Sequence, residues 1–211
     1  NFLLFDHIGG INTLLHTLFN RGLVIALEER TVASVLAACR THTVELLPTT
    51  PTFLRLMLIS GLVPAHVPES LKIITYGTER MDQPTLDQLT QLLPNIDFRQ
   101  TFGMSELGIV RVRSKARDSL YMSVGGEGVE TKVTGEGVLL IRSESRMIGY
   151  LNAPSPFDAD GWYNTGDLVE VDADGYMRVT GRKGDVINVG GLKFLPAEVE
   201  RAALSFAGAA H

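Results

Sequence analysis

An eight-residue stretch, Thr101-Phe102-Gly103-Met104-Ser105-Glu106-Leu107-Gly108, gathers an aromatic ring, two glycines, a hydroxyl and a carboxylate. Gly103 allows the backbone to come close to a ligand or to take φ > 0. Ser105 offers a hydroxyl donor, and Glu106 offers a hard oxygen of the kind that holds Mg²⁺ alongside substrate phosphates. A flat ring, a phosphate donor and a metal carboxylate together suit a nucleotide. The same residues also suit a tight turn with a helix-starting Ser-Glu pair. Tyr76-Gly77-Thr78-Glu79-Arg80-Met81 is a second candidate, readable either as one wall of a ligand crevice or as a plain βα loop before a helix cap. In Trp162-Tyr163-Asn164-Thr165-Gly166-Asp167, the carboxylate after the turn could accept both hydroxyls of a ribose or bond its own backbone. Gly181-Arg182-Lys183-Gly184-Asp185 places a bidentate cation between glycines suited to a hinge, and fits a solvated basic turn equally well. His7, ahead of Gly9-Gly10, could line a pocket as a flat wall with a polar tip, or be structural.

Strands and helices must carry these residues. Apolar spacing predicts a helix over Ile11–Phe19 and a short strand over Leu23–Leu27. Thr31 is a cap for a helix through Val32–Cys39, and Val44–Leu47 reads as a strand ended by Pro48-Thr49-Thr50-Pro51. Pro51 suits the first turn of a helix through Phe53–Leu58. Leu71–Tyr76 is a strand broken at Gly77, Asp82 starts a helix through Leu86–Leu93, and Ile96–Gln100 is a strand running into the octapeptide. Strands alternating with helices indicate βαβ units and a parallel sheet, whose carboxyl ends hold ligands. Past Gly108 the pattern changes. Leu120–Thr180 shows strand patterns and glycine turns, with a hairpin at Asp172-Ala173-Asp174-Gly175, and reads as a small antiparallel β subdomain. A helix begins at Pro196 and runs through Ala197–Leu204.

Composition narrows the class. The 211 residues are 45% hydrophobic and 20% charged, ordinary for a globular protein with a core. A net charge of -5 with no basic run gives no support to nucleic-acid binding. One cysteine, Cys39, excludes an intrachain disulfide and sits in an apolar helical stretch as a core residue. No apolar run reaches the roughly 20 residues of a membrane span and no signal peptide is visible, so a cytoplasmic protein is expected. Both ends look cut, and the chain reads as a piece of a longer protein.

Taken in order, the clusters resemble the motifs of the adenylate-forming superfamily: acyl-CoA synthetases, firefly-luciferase-like enzymes and the adenylation domains of nonribosomal peptide synthetases. Thr101–Glu106 is similar to its aromatic-Gly-x-Thr/Ser-Glu motif, and Tyr163–Asp167 to its Tyr-x-Thr-Gly-Asp motif. Gly181-Arg182, Asp185–Gly191 and Pro196–Glu200 resemble its domain junction, and Met147–Asn152 its Gly-Tyr-x-Asn element. The resemblance implies an α/β fold: 1–108 as part of the large AMP-binding domain, with a mostly parallel sheet and flanking helices; 109–182 as an antiparallel β subdomain; 183–211 as the hinge and start of a C-terminal α+β domain. It implies that Gly77, Thr78 and Glu79 line the adenine and that Phe102 stacks near it. Thr101 belongs to the same nucleotide motif, and Gly103 and Met104 shape the floor. Ser105 would bond the α-phosphate, Glu106 would hold Mg²⁺, Asp167 with Arg182 would bind the ribose, and His7 would border the acyl pocket. The implied reaction joins a carboxylic acid to ATP as an acyl-adenylate and then to a thiol. Coenzyme A is the expected thiol; a carrier-protein phosphopantetheine, or a non-catalytic nucleotide-binding relative, is the alternative.

Three departures stand beside the resemblance. The Ser/Thr/Gly-rich phosphate loop and the C-terminal catalytic lysine of such enzymes fall outside these residues, so the chain by itself is expected to be inactive. Gly184 stands where relatives usually carry the hinge Asp or Lys. The Val124–Leu140 segment is terser than usual.

Overall fold

The structure is a computed structural model that describes residues 3, 5, 7–189 and 192–204. It divides into two compact units, the first running to Met104 with Ala116–Ser119 added, the second formed by Ser105–Lys115 and the described residues from Leu120 on.

The first unit runs α1 (Ile8–Phe19), α2 (Val32–Thr41), β1 (Leu46–Thr49), α3 (Pro51–Ile59), β2 (Ile73–Tyr76), α4 (Gln83–Leu92), β3 (Asp97–Gln100) and β4 (Phe102–Met104). β1, β2 and β3 form a parallel sheet in that order, in register Thr49↔Tyr76↔Gln100, so their carboxyl ends finish level. Three of the helices begin on side-chain caps, two of which, Thr31 and Asp82, the sequence marks as helix starts. Thr31 Oγ1 accepts from the Ser34 amide at 3.1 Å, Thr50 Oγ1 from the Phe53 amide at 3.2 Å, and Asp82 Oδ1 from the Thr85 amide at 2.8 Å. Leu36, Leu54, Ile74, Leu86, Leu89 and Phe98 are at most 1% exposed, and each such side chain contributes about 1.5–3 kcal/mol by leaving water. Arg117 closes the far end of α4. Its guanidinium donates to the carbonyls of Thr90, Leu93 and Pro94 at 3.1, 2.9 and 2.8 Å, which explains why a four-residue piece of later chain belongs to this unit.

Two expectations need correction here. Leu23–Leu27 forms no strand: the segment is irregular and Leu23 is 81% exposed. An apolar run becomes a strand only beside a hydrogen-bonding neighbour, and among the described residues the sheet ends at β1, where Pro48 suits an edge because it lacks a donor. The strand expected at Val44–Leu47 lies two residues later.

The second unit contains β5 (Gly108–Val110), β6 (Val112–Ser114), β7 (Met122–Val124), β8 (Val129–Val133), β9 (Val138–Ser143), β10 (Tyr163–Val171), β11 (Met177–Arg182), β12 (Ile187–Val189), β13 (Leu192–Phe194) and α5 (Pro196–Leu204). Six strands build one sheet in the order β6-β7-β11-β10-β9-β8. The expected hairpin joins β10 to β11. Asp172 Oδ1 accepts from the amides of Asp174 and Tyr176 at 3.0 and 2.9 Å, Gly175 takes φ 82°, and Lys115 bridges Asp172 and Asp174 at 2.6 and 2.8 Å. That turn, with a bulge at Leu168/Val169, sets Asp167 opposite Arg182. Just before β10, the Trp162 ring lies under the Lys132 ammonium at 3.9 Å and near the Arg142 guanidinium at 5.0 Å. No described helix is long and apolar enough to cross a membrane.

Candidate functional site

In the first unit the sequence-marked residues sit at the carboxyl ends of β2 and β3. The Thr101 amide and hydroxyl both donate to the Tyr76 carbonyl, at 2.8 and 3.2 Å, locking the two strand ends together. Gly77 is buried against this lock: a Cβ there would lie 2.0 Å from Thr101 Oγ1 and 2.9 Å from the Thr101 carbonyl oxygen. Thr78 follows at φ 70°, a left-handed conformation unusual for a residue with a branched Cβ. Such strain concentrates in ligand-binding loops. Glu79 is exposed and turned to the start of α3. Its carboxylate accepts from the Thr52 amide at 3.1 Å and hydroxyl at 2.5 Å, with Arg55 at 3.7 Å. Arg55 also reaches Asp82 at 3.1 Å, where hydrogen bonds from Thr85 and the guanidinium outweigh burial and hold that carboxyl below its usual range. The loop 77–82 is thus tied to α3 at two points. Phe102, Gly103 and Met104 form β4 and are half-buried. His7 caps α1 by accepting from the Gly9 amide through Nδ1 at 3.1 Å, and is exposed.

The second unit holds the other group. Ser105–Leu107 is a turn rather than the start of a helix, with Ser105 exposed and Leu107 fully buried as its anchor. Two bonds from the 145–147 segment fix the turn: the Met147 amide donates to the Glu106 carbonyl at 2.9 Å, and the Ser145 hydroxyl to the Leu107 carbonyl at 3.2 Å. The Tyr150 phenol donates to Glu106 Oε1 at 2.5 Å. Its partnership with that carboxylate pushes the phenol up to about 12. Burial, with Glu106 beside it, also raises Tyr163, which feels Arg182 and Asp167 as well. Tyr163 is therefore within electrostatic reach of both the Glu106 carboxylate and the Asp167–Arg182 pair. Residues Gly149 to Ala153 line an open concavity of about 540 Å³.

Asp167 is 7% exposed. Gly166 at φ 72° makes the turn into it, the Asn164 side chain accepts from the Gly166 amide at 2.9 Å, and buried Thr165 accepts from the Asp167 amide at 3.0 Å while donating to the Leu139 carbonyl at 2.8 Å. Arg182 Nε donates to Asp167 Oδ1 at 3.1 Å. Burial raises the Asp167 carboxyl above its ordinary range, and Arg182, itself largely exposed, offsets this only in part. A carboxylate sunk in a sheet with one solvated cation partner is an acceptor waiting for donors. Gly184 lies exposed in a single 3₁₀ turn, Lys183–Asp185, with open space where a Cβ would stand.

Among the described residues no group of three or more His, Cys, Asp or Glu side chains could cage a metal. Glu106 is instead a single half-exposed carboxylate with lone pairs left beyond its Tyr150 bond, which fits an ion completed by water and substrate phosphates, as Mg²⁺ usually is. The site reading of the sequence had missed Tyr150 and Tyr163. The available signal was their place in the Gly149-Tyr150-Leu151-Asn152 and Tyr163–Asp167 elements.

A family model for the AMP-binding enzyme matches residues 1–151. The chain belongs to the AMP-binding enzyme family. Curated relatives include the 3-[(3aS,4S,7aS)-7a-methyl-1,5-dioxo-octahydro-1H-inden-4-yl]propanoyl:CoA ligase of Rhodococcus jostii, 28% identical over 92% of this chain and 39% of its own length. The medium/long-chain-fatty-acid–[acyl-carrier-protein] ligase FadD10 of Mycobacterium tuberculosis is 31% identical over 96% of this chain and 42% of its own length. The chain therefore spans about two fifths of these relatives. Among solved structures, an ATP-bound RpMatB-BxBclM chimera superposes with a TM-score of 0.82 at 22% identity, covering 98% of this chain and 44% of that one. The o-succinylbenzoate coenzyme A synthetase of Bacillus subtilis, solved with ATP and magnesium, gives 0.74 at 24% identity over 96% and 45%. These likenesses show the adenylating-enzyme fold, α/β with a parallel sheet and antiparallel sheets beside it.

Proposed function

We propose that the protein carrying this chain is an ATP-dependent acid–thiol ligase. A carboxylate oxygen of the acid attacks the α-phosphorus of ATP, the bond to pyrophosphate breaks, and an acyl-adenylate results. A thiol sulfur then attacks the acyl carbon, AMP leaves, and the thiol proton goes to solvent. Such transfers depend on positioning and charge neutralisation rather than on a protein nucleophile. In this reading Gly77, Thr78 and Glu79, with Thr101, Phe102, Gly103 and Met104, form the nucleotide wall at the strand ends. Ser105 donates to the α-phosphate and Glu106 holds Mg²⁺, which supplies neutralisation of phosphate charge when bound. Asp167 accepts the ribose hydroxyls beside Arg182, His7 borders the acyl pocket, and Gly184 is the hinge. The boundaries at 108/109 and 182/183 belong to the same reading.

The observation that carries it is the second unit's cluster. Glu106, the Tyr163–Asp167 element and Arg182 come from three separate motifs, yet Tyr163 feels Glu106, Arg182 and Asp167, and Arg182 Nε reaches the buried Asp167 carboxyl at 3.1 Å. Names among the relatives support a coenzyme A thiol, and FadD10's name favours a carrier protein as the second reading. The test is acid-dependent pyrophosphate–ATP exchange by the full-length protein over a broad panel of acids. Exchange with at least one acid, lost on Glu106→Ala or Asp167→Ala, is expected. No exchange with any acid would leave a non-catalytic nucleotide-binding module.

A further inference from the structure

The Glu106 turn is held by two different kinds of contact. The main chain is fixed by the Met147 amide and the Ser145 hydroxyl, at 2.9 and 3.2 Å. Neither touches the carboxylate. The carboxylate is fixed by the Tyr150 phenol at 2.5 Å on Oε1. Tyr150 itself is 43% exposed, and its neighbours Ile148 and Leu151 are fully exposed, so the ring is not placed there by burial. A mobile surface tyrosine would ordinarily be solvated; this one spends its hydroxyl on one acid.

We propose that Tyr150 is a positioning residue that orients the Glu106 carboxylate for a divalent cation. The proposal rests on the reading of Glu106 as the cation's ligand. A carboxylate has about four lone-pair sites. With Oε1 engaged by Tyr150, and Tyr163 also hydrogen-bonding the group, rotation of the carboxylate is restricted. Ligating carboxylates are commonly held by an outer hydrogen bond in this way, and loss of that bond typically lowers metal affinity 10–100-fold. The alternative role, a phenol that occupies the carboxylate and must be displaced by the cation, predicts the opposite change.

The experiment titrates Mn²⁺ into the full-length protein with ATP present and no acid, reading free Mn²⁺ by electron paramagnetic resonance. Tyr150→Phe deletes one hydroxyl from a half-exposed ring, so its melting temperature should match wild type. It should raise the Mn²⁺ dissociation constant about tenfold and raise by a similar factor the Mg²⁺ needed for half-maximal pyrophosphate exchange. At saturating Mg²⁺ the exchange rate should recover, which a merely structural defect would not allow. In the Glu106→Gln background Tyr150→Phe should add nothing. Unchanged or tighter Mn²⁺ binding in Tyr150→Phe, with Glu106→Gln weakened, overturns the tyrosine's role and spares the glutamate's. Wild-type Mn²⁺ binding in Glu106→Gln overturns both.

Discussion

Gly77→Ala is the sharpest test of how the first unit locks the ends of β2 and β3, the proposed nucleotide wall. The new methyl would sit 2.0 Å from Thr101 Oγ1 and 2.9 Å from the Thr101 carbonyl oxygen. The hydroxyl can swing aside, but only by giving up its bond to the Tyr76 carbonyl, worth about 1 kcal/mol. The carbonyl cannot move without shifting the end of β3, and forcing a packed region apart in this way costs about 1–3 kcal/mol. The sum is about 2–4 kcal/mol. For a unit of about a hundred residues, at roughly 4–8 °C per kcal/mol, the melting temperature should fall by about 10 °C or more. Helices α1–α4 all lie in this unit, so the transition should be followed by circular dichroism at 222 nm. Adding Thr101→Ala should restore part of the loss, because the hydroxyl clash goes and the carbonyl clash stays. ATP affinity of the full-length protein should drop in parallel, since Gly77 sets where Thr78 enters its left-handed turn. A Gly77→Ala protein that melts within a degree of wild type would refute the reasoning.

Other expected outcomes follow from single side chains. Asp167 is raised by burial, so the folded state holds its proton more tightly than the unfolded one. Its ionisation therefore costs stability as pH rises from the ordinary value of 3.8 through the folded one, and that loss persists at neutral pH. Asp167→Asn should raise the melting temperature at pH 7, flatten this acid limb, and abolish pyrophosphate exchange; a lower melting temperature would contradict the account. Asp82 is depressed, so its contribution is present above 3.8 and fades as pH falls through the folded value. Asp82→Ala removes the cap of α4 and the Arg55 contact and should cost about 0.5–2 kcal/mol at pH 7. In urea titrations the gap from wild type should close in strong acid.

How much of this could be read from the chain differs by distance. Caps are local chemistry, and Thr31, Pro51 and Asp82 announced α2, α3 and α4 within a residue or two. The Asp172–Gly175 turn is also local, but counting back along two regular strands would set Asp167 opposite Gly181; the one-residue shift at the Leu168/Val169 bulge is what brings it opposite Arg182, 15 residues away. Leu23–Leu27 failed because a strand is defined by its neighbour, which a five-residue window cannot show. Glu79 on Thr52, 27 residues away, and Tyr150 on Glu106, 44 residues away, involve no periodicity and depend on how separate elements come together. Candidate residues could therefore be picked out by their chemistry, while the side chains that hold them could not.

The lone tryptophan of the chain has an optical consequence. Trp162 lies beside two cations, Lys132 and Arg142, immediately before the strand that carries Asp167. Emission excited at 295 nm therefore comes from one address. It is blind to the helices of the first unit, so the two halves of the chain carry separate spectroscopic signatures without any added label. Melting curves that coincide in emission and dichroism would mean the units unfold as one, and curves that part would show which yields first.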